Sequence, residues 1–600
     1  MIPKQYREAL AFERALGDPN HPENTLSFRQ AITYDEADEF PEEAVSFLSA
    51  LGISSAYVPR QLGGSFDSSE TFVAIGRTLA RRNMSTAVSY STMLWSVLAW
   101  IGGDAAQQRR VADWVQHYGL FPCLAYSETD HGADLSSNEL TARRNEDGSY
   151  TLNGEKWPIN RATRSGFLVL LARTDYGQHL RNHTLFIIDK HKLDSRHYYQ
   201  LPRVKTHGLR GCDISGIGFR KCVIPAEARI GQEGFGLELA LKGFQVTRTY
   251  CTALSLGVGD STLRIVGDFA AKRRLYGAAM NQLPHTQHVL ANAYLSQLMG
   301  ECVSIVSARG LHLYPEQYST WSTIAKVHVT RMVDFSSQQL ASILGARYYM
   351  REQHAEGMFQ KFMRDGAIVS IFDGSSIVCL DSLATLLPTL IRGQLNANTA
   401  TSEDLAALYD MNRPLPALPY ERLDLLSRGR DAVIESLPTL AEKINTLTPD
   451  NYLNEEILTR LQYLVFKLKI DIASLQSKIL EEPPRRGERN SAQQFCFAQH
   501  YCEIHAAIAA LGIWLYNRQT LGSFFANGMW LQAALMRGGR AEFKCGELTT
   551  EIIKTLHEQC EYQRTNEQMF SLLPWPLAEK GLEEAALNFP QEIHHDLQTI

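Results

Sequence analysis

Apolar residues near the start of the chain recur at three- and four-residue spacing, in "FPEEAVSFLSALG", "ETFVAIGRTLARRN" and "AAQQRRVADWVQHYG". That spacing gathers them on one helical face, so residues 1–120 are expected to form an α-helical domain. Over 121–230 the period drops to two or to short β-branched runs, "YTLNG", "GFLVLLART", "HTLFIID" and "ISGIGFRKCVIP", parted by Gly, Asn and Asp turns. A compact antiparallel, barrel-like β domain is expected there. After "IGQEGFG" the helical period returns and holds through 231–395, in long segments such as "STLRIVGDFAAKRRLYG" and "AKVHVTRMVDFSSQQLASILG". Long, amphipathic and closely joined, these suit an antiparallel four-helix bundle. "GQEGFG" is read as a helix start and not a phosphate loop, because no βαβ unit follows it. Over 396–600 a polar, Pro-containing link, "GQLNANTATSEDLAALYDMNRPLPALPYERL", leads to four or five more helices, broken by the loop "EEPPRRGERN". The expected fold class is α+β, mainly α: helical domain, β domain, bundle, and an additional all-α C-terminal domain.

Composition narrows the function classes. Six hundred residues exceed one ordinary core. A net charge of −6 argues against a dedicated nucleic-acid binder, which releases counterions with a basic surface. The first residues, "MIPKQYREALAFERALGD", lack the apolar core of a signal peptide, and the best uninterrupted apolar run, "HAAIAALGIWLY", is short for a bilayer. A cytoplasmic location is the expectation. Ten cysteines without a CxxC read as reduced core residues. Cys496, His500, Cys502 and His505 share one predicted helix without the converging partners zinc needs, so no metal is expected.

"VSIFDGSS", residues 369–376, ends an apolar run on an acid, a glycine and two hydroxyls. An Asp-Gly pair makes a tight turn unaided, and it also presents a carboxylate. The stretch by itself leaves both readings open. The rest of the chain supplies "VPRQLGG", "AYSETDHGADLSS", "LNGEKWPIN" and "KFMRDGAIVSIFDGSS" in that order, with "KTHGLRGCD" and "KRRLYG" between the last two. In combination and order, over roughly residues 40 to 385, these motifs resemble the acyl-CoA dehydrogenase family of flavoenzymes.

The resemblance implies FAD as cofactor and α,β-dehydrogenation of an acyl thioester, on CoA or on an acyl carrier protein. In such chemistry a base takes the α-proton while the β-hydrogen leaves as hydride to the flavin. The α-proton is too weakly acidic for a free carboxylate, so preorganised donors must hold the thioester oxygen; in the family these are a flavin ribityl hydroxyl and the N–H of the base residue. A water-poor pocket adds to the carboxylate's basicity. Counted from Arg364 and Asp365, Asp373 stands where the family carries its catalytic Glu, one methylene shorter. A second family position for the base falls at about Thr247, and a threonine cannot do that work.

By the same resemblance, Ser127, Trp157, Pro158, Ile159 and Asn160 lie beside the flavin, with Asn160 or Thr163 replacing the family's usual partner for N5. Arg273 matches an arginine that reaches the FAD pyrophosphate across a subunit interface, and Gln287 and Gly345 fall near the adenine side. Asp134, Arg248 and Gly374 are implied on the substrate side, while Ala133 replaces a family serine that faces a phosphate, which leaves room for a carrier-protein thioester. The implied partners are a second copy of the chain and an electron acceptor such as an electron-transfer flavoprotein, with no nucleic acid. Competing readings are an acyl-CoA oxidase-type or nitroalkane oxidase-type flavin oxidase with Asp373 as base, and a non-catalytic flavin-binding scaffold or nucleic-acid-binding relative. The acidic total and the intact Asp373 count against the last.

Overall fold

The N-terminal layer consists of α1 (Arg7–Leu16), α2 (Phe28–Ala37), α3 (Glu42–Ala50), α4 (Ser69–Ala80), α5 (Met84–Tyr90), α6 (Val97–Gly102) and α7 (Ala105–Gln116) in a computed structural model. The model describes residues 2–175, 177, 181–395, 402–484, 487–540 and 548–578. Polar side chains fix where these helices begin. Ser27, Ser68 and Asn83 each accept from a first-turn N–H, and Asp104 with Gln107 closes a capping box. Helix α4 is buried along its whole length, so its ionic groups find partners inside: Glu70 meets Arg309 at 2.8 Å and Arg77 meets Glu301 at 2.7 Å.

Next come β1 (Pro122–Ala125), β2 (Thr141–Arg144), β3 (Tyr150–Asn160), β4 (Phe167–Arg173), β5 (His183–Asp189), β6 (Tyr198–Leu201), β7 (Ile214–Ile224) and β8 (Arg229–Ile230). They form one sheet in the order β6-β7-β3-β2-β4-β5-β8, with β1 on β4. The sheet is mixed and not purely antiparallel as expected. β1 runs parallel to β4, from Pro122 opposite Phe167 to Ala125 opposite Leu170. The 41 residues between them, including the β2–β3 pair, are ample for the chain to re-enter in the same direction, since a parallel pairing requires only about a dozen or more. Strand β4 separates two cores. Phe167, Val169 and Leu171 join the helical core, while Leu168, Leu170 and Ala172 fill the core around which the sheet curls. Covered on both faces, β4 reads as an unbroken apolar run.

The bundle holds α8 (Gly236–Lys272), the ribbon β9 (Arg274–Leu275) and β10 (Ala278–Ala279), α9 (Pro284–Leu313), α10 (Tyr318–Leu344), α11 (Met358–Gly366) and α12 (Ser376–Leu395). Helices α8, α9 and α10 pack on one another, and α12 lies on α10. By length and composition α9 and α12 are apolar enough to cross a membrane, but the apolar window of α9 is wholly buried in protein and that of α12 is 39% buried. Neither helix is an uninterrupted apolar run, because polar residues, and Pro388 in α12, break them.

The remaining helices are α13 (Ser402–Tyr409), α14 (Ala432–Glu435), α15 (Leu437–Asn445), α16 (Glu455–Glu481), α17 (Ala492–Asn517), α18 (Ser523–Ala526), α19 (Met529–Arg537) and α20 (Thr550–Thr565). Of the polar link expected before them, residues 396–401 lie outside the described residues, as do Arg485 and Arg486 of the later loop. Much of the rest of the link is anchored, with Leu405, Leu408, Tyr409, Met411, Leu418 and Tyr420 buried and residues 412–414, 416 and 417 exposed. The buried Arg309 donates to the carbonyls of Ala407, Leu408 and Arg413 at 2.7, 3.0 and 3.0 Å. After α20 the chain folds back on the bundle, where Asp260 accepts from Phe570 N and Glu301 from Leu572 N. On α17, His500 bonds Asp471 and the buried His505 faces Asp431, so the Cys/His group does not converge.

Candidate active site

A cavity of about 590 Å³ lies where β3 and the loop after β1 face α8 and the turn before α12. That volume falls among ordinary small-molecule sites. Its helical wall is largely apolar, with Trp95, Leu241, Phe244, Tyr250 and Leu254, and its polar residues include Ser91, Thr92, Thr247 and Arg248.

Asp373 closes one side. After α11 a short 3-10 turn leads the chain into two consecutive left-handed residues, Asp373 at φ +56° and Gly374 at φ +83°. This conformation costs a non-glycine residue about 1–2 kcal/mol, so the surroundings must hold it. Two cations do so: Arg248 Nε donates to the Asp373 carbonyl at 2.9 Å, and the Lys326 ammonium donates to the Phe372 carbonyl. Gly374 is required twice over, by its φ and because a Cβ there would stand 2.7 Å from Arg248 Nη2. Gly374→Ala is expected to lower stability by about 1–3 kcal/mol and turnover by at least tenfold, read by denaturant unfolding and by single-turnover rates.

Burial pushes the Asp373 carboxyl above the ordinary carboxylate value, while the Lys326 charge, a hydrogen bond from Thr247 and the Arg248 charge pull it back. The residue as a whole is half-buried. Cys251 Sγ lies 4.0 Å from Asp373 Oδ2, and burial pushes this thiol up to about 12, so it stays protonated.

The β wall is held by a buried ion pair. Lys156 Nζ meets Glu128 Oε1 at 2.7 Å and the Tyr126 carbonyl at 3.0 Å, and Glu128 also accepts from the N–H groups of Glu139 and Leu140. The loop between β1 and β2 is thereby tied to β3. Burial works against charge on both partners. It lowers Lys156 to about 8, whereas Glu128 ends below its usual value because the Lys156 charge and the N–H donors outweigh burial. Lys156→Met, which strands the carboxylate, is expected to cost about 3–5 kcal/mol in urea unfolding.

Beyond Lys156 the β3–β7 register shifts, so Trp157 and Pro158 leave the ladder, and Pro158 has no N–H to lose there. Pro158, Ile159 and Asn160 then line the cavity. Asn160 Nδ2 donates to the Val88 carbonyl at 3.2 Å, but its Oδ1 has no protein partner, and neither does the Tyr126 hydroxyl. Both residues line the cavity. Buried polar atoms without partners call for a ligand that supplies them, and the donor- and acceptor-rich edge of a flavin ring fits that demand. Thr163 is committed elsewhere, its Oγ1 bonded to Asp213 at 2.6 Å.

Residues 27–115, 123–222 and 234–387 match, in turn, the N-terminal, middle and C-terminal domain models of acyl-CoA dehydrogenase. The chain belongs to the acyl-CoA dehydrogenase family. The mitochondrial short-chain specific acyl-CoA dehydrogenase of Mus musculus is 25% identical over 352 residues, 58% of this chain and 82% of that protein. A Bacillus anthracis acyl-CoA dehydrogenase, solved in complex with FAD, superposes with a TM-score of 0.70 at 17% identity, covering 94% of this chain and 96% of that one. The prolyl acyl carrier protein oxidase AnaB gives a TM-score of 0.53 at 18% identity, over 63% of this chain and 96% of its own. The Bacillus likeness in fold thus reaches into the C-terminal helices, and the oxidase likeness covers a smaller part.

Among the residues that the family resemblance singles out, Ser127, Pro158, Ile159, Asn160, Arg248, Asp373 and Gly374 all meet at the cavity. Trp157 stands beside it, its N–H donating to the Ser127 carbonyl, with its side chain outside the lining. Asp134 is not brought in. Its exposed carboxylate turns onto Ser136 and Ser137, whose hydroxyls hold it below the usual range, while Gly132, Ala133 and Leu135 line the cavity. Arg273, Gln287 and Gly345 sit at the ends of α8, α9 and α10. Arg273 lies 19 residues beyond Leu254, the last residue of α8 in the lining, about 28 Å along the helix and farther than its side chain reaches. The sequence does not single out Lys326, and it excludes Thr247 as a base without showing that its hydroxyl bonds the Asp373 carboxyl. The available signal was one lysine inside "STIAKVHVT", at a position the helical period buries.

Proposed function

We propose that the protein catalyses FAD-dependent α,β-dehydrogenation of an acyl thioester, carried by CoA or a carrier protein, with Asp373 removing the α-proton. The observation that carries this reading is a desolvated carboxylate at the wall of a largely apolar cavity, across from a β wall where Asn160 Oδ1 and the Tyr126 hydroxyl lack partners. FAD, when bound, accepts the β-hydrogen as hydride. Ser127, Tyr126 and Asn160 would hold its polar edge, and Pro158 and Ile159 would lie against its ring. Asp373 takes the α-proton on its carboxylate while its own N–H donates to the thioester oxygen, stabilising the charge that develops there. The apolar helical wall takes the acyl chain and keeps water from the carboxylate.

Arg248 spends its Nε on the Asp373 carbonyl, which supports a place beside the base instead of on a distant phosphate. Asp is shorter than the family's Glu, and the left-handed turn offers a way to bring its carboxylate forward. A homodimer belongs to the same proposal, since Arg273, Gln287 and Gly345 would then serve the cavity of a second copy.

The test is anaerobic titration of the purified protein with acyl-CoA and acyl-carrier thioesters of graded length. Bleaching of the flavin band by at least one series is expected, and failure of every thioester to bleach it overturns the reading. Reoxidation of the bleached protein then distinguishes acceptors. Slow reaction with air and fast reaction with an electron-transfer flavoprotein are expected, whereas fast peroxide formation assigns an oxidase.

A further inference from the structure

Two cations grip the strained turn that carries Asp373, and they come from different helices: Arg248 from α8 and Lys326 from α10. Lys326 has 0% exposure. Its ammonium meets the Phe372 carbonyl and stands 5.2 Å from the centre of the Phe372 ring, so both contacts fall on the residue just before Asp373. A buried ammonium is costly, and apolar replacement of such groups is often neutral or stabilising. Stability alone therefore gives a weak account of a lysine at this place.

We propose that Lys326 is a positioning residue for the reaction: by fixing the Phe372 carbonyl it holds the left-handed turn in the one orientation that aims the Asp373 carboxylate at the substrate. The proposal rests on the reading of Asp373 as the base. Lys326 also favours the ionised form of that carboxylate in a site where burial opposes it. The other groups facing Asp373 are Thr247, Arg248 and the protonated Cys251 of α8, while Cys379 of α12 donates to the Gly374 carbonyl at 3.5 Å. Lys326 and Arg248 are thus the two cations acting on the carboxylate, and removing Lys326 leaves Arg248 alone.

The experiment compares the FAD-loaded wild type with Lys326→Met and Lys326→Arg in anaerobic stopped-flow reduction across pH. Lys326→Met is expected to keep its flavin content and its apparent affinity for thioester. Its limiting reduction rate should fall about 100-fold, the scale of a misplaced reacting group. The acid limb of its rate profile should move up by about one pH unit, because an opposite charge has left the carboxylate. Lys326→Arg should recover most of the rate and return the limb. An unchanged rate and limb overturn the proposal; so does a loss that follows flavin content or thermal stability while the limb stays in place. Should Lys326→Met not fold, Lys326→Gln takes its place under the same criteria. Infrared titration supplies a readout independent of turnover: the protonated-carboxyl band absent from Asp373→Asn should titrate at higher pH in Lys326→Met, and an unmoved band counts against the charge effect. If no thioester reduces the wild type, the reading of Asp373 as base fails, and the band still shows whether Lys326 acts on that carboxylate.

Discussion

Asp373→Ala is expected to retain FAD and to lose reduction by acyl thioester by about 10⁴-fold, the upper range for removal of a positioned general base. Among the described residues lining the cavity, the other acid-base candidates are poor substitutes. Thr247 is an alcohol, burial holds the Cys251 thiol protonated up to about 12 and pushes the Tyr126 and Tyr250 phenols above their ordinary value, and Arg248 is a cation bound to the Asp373 carbonyl. The flavin should stay in place, because Ser127, Pro158, Ile159 and Asn160 stand on the opposite wall and the alanine leaves them untouched. Stopped-flow bleaching beside flavin content separates the two effects. Fast bleaching in this variant would remove Asp373 from the mechanism. The pH profile of the wild type carries the same information. A base must be ionised to accept a proton, and burial raises the pKa of this carboxyl. The reduction rate should therefore climb with pH through a value above the ordinary carboxylate range and then level off, and Asp373→Ala should lack that limb.

Much of this site is legible in the sequence because chain order places it there. The turn "FDGSS" follows "KFMRD" closely, and that segment is anchored to the rest of the fold: Arg364 bonds Asp35 and the His207 carbonyl, and Asp365 accepts from Leu209 N at 2.7 Å. Counting along the chain from Arg364 therefore finds Asp373. Strand β3 is equally readable, since a proline that must leave the ladder marks the point where the strand turns to the cavity. Lys326 is legible only in part, because period alone says that it is buried and not what it meets; its partner, the Phe372 carbonyl, arrives from 46 residues further on. The partners of the link after α12 are hidden from the sequence for a similar reason. Polar and Pro-rich composition suggests solvent, but Arg309, buried in α9, needs carbonyl acceptors and takes them from that stretch. The parallel pairing of β1 with β4 is likewise set by a crossover that strand periodicity does not record.

The ends of the bundle carry the other large expected effect. Arg273→Glu should weaken FAD binding by about 100-fold or more, since it removes a guanidinium suited to a pyrophosphate and puts a like charge in its place. Yet Arg273 is exposed at the far end of α8, with Gln287 and Gly345 at the corresponding ends of α9 and α10. A 37-residue helix fixes that separation rigidly, so no side-chain motion brings Arg273 to the Asp373 of its own chain. If it serves FAD at all, it serves the FAD of a second copy. Heterodimers of Asp373→Ala and Arg273→Glu chains, purified through different tags, decide the matter. One of their two cavities would combine an intact Asp373 with an intact Arg273 from the opposite chain, while the other would lack both. Such a heterodimer should show about half the wild-type turnover and bind one FAD tightly, although each homodimer is nearly dead. Were Arg273 to act within its own chain, both cavities would be broken and mixing would restore nothing.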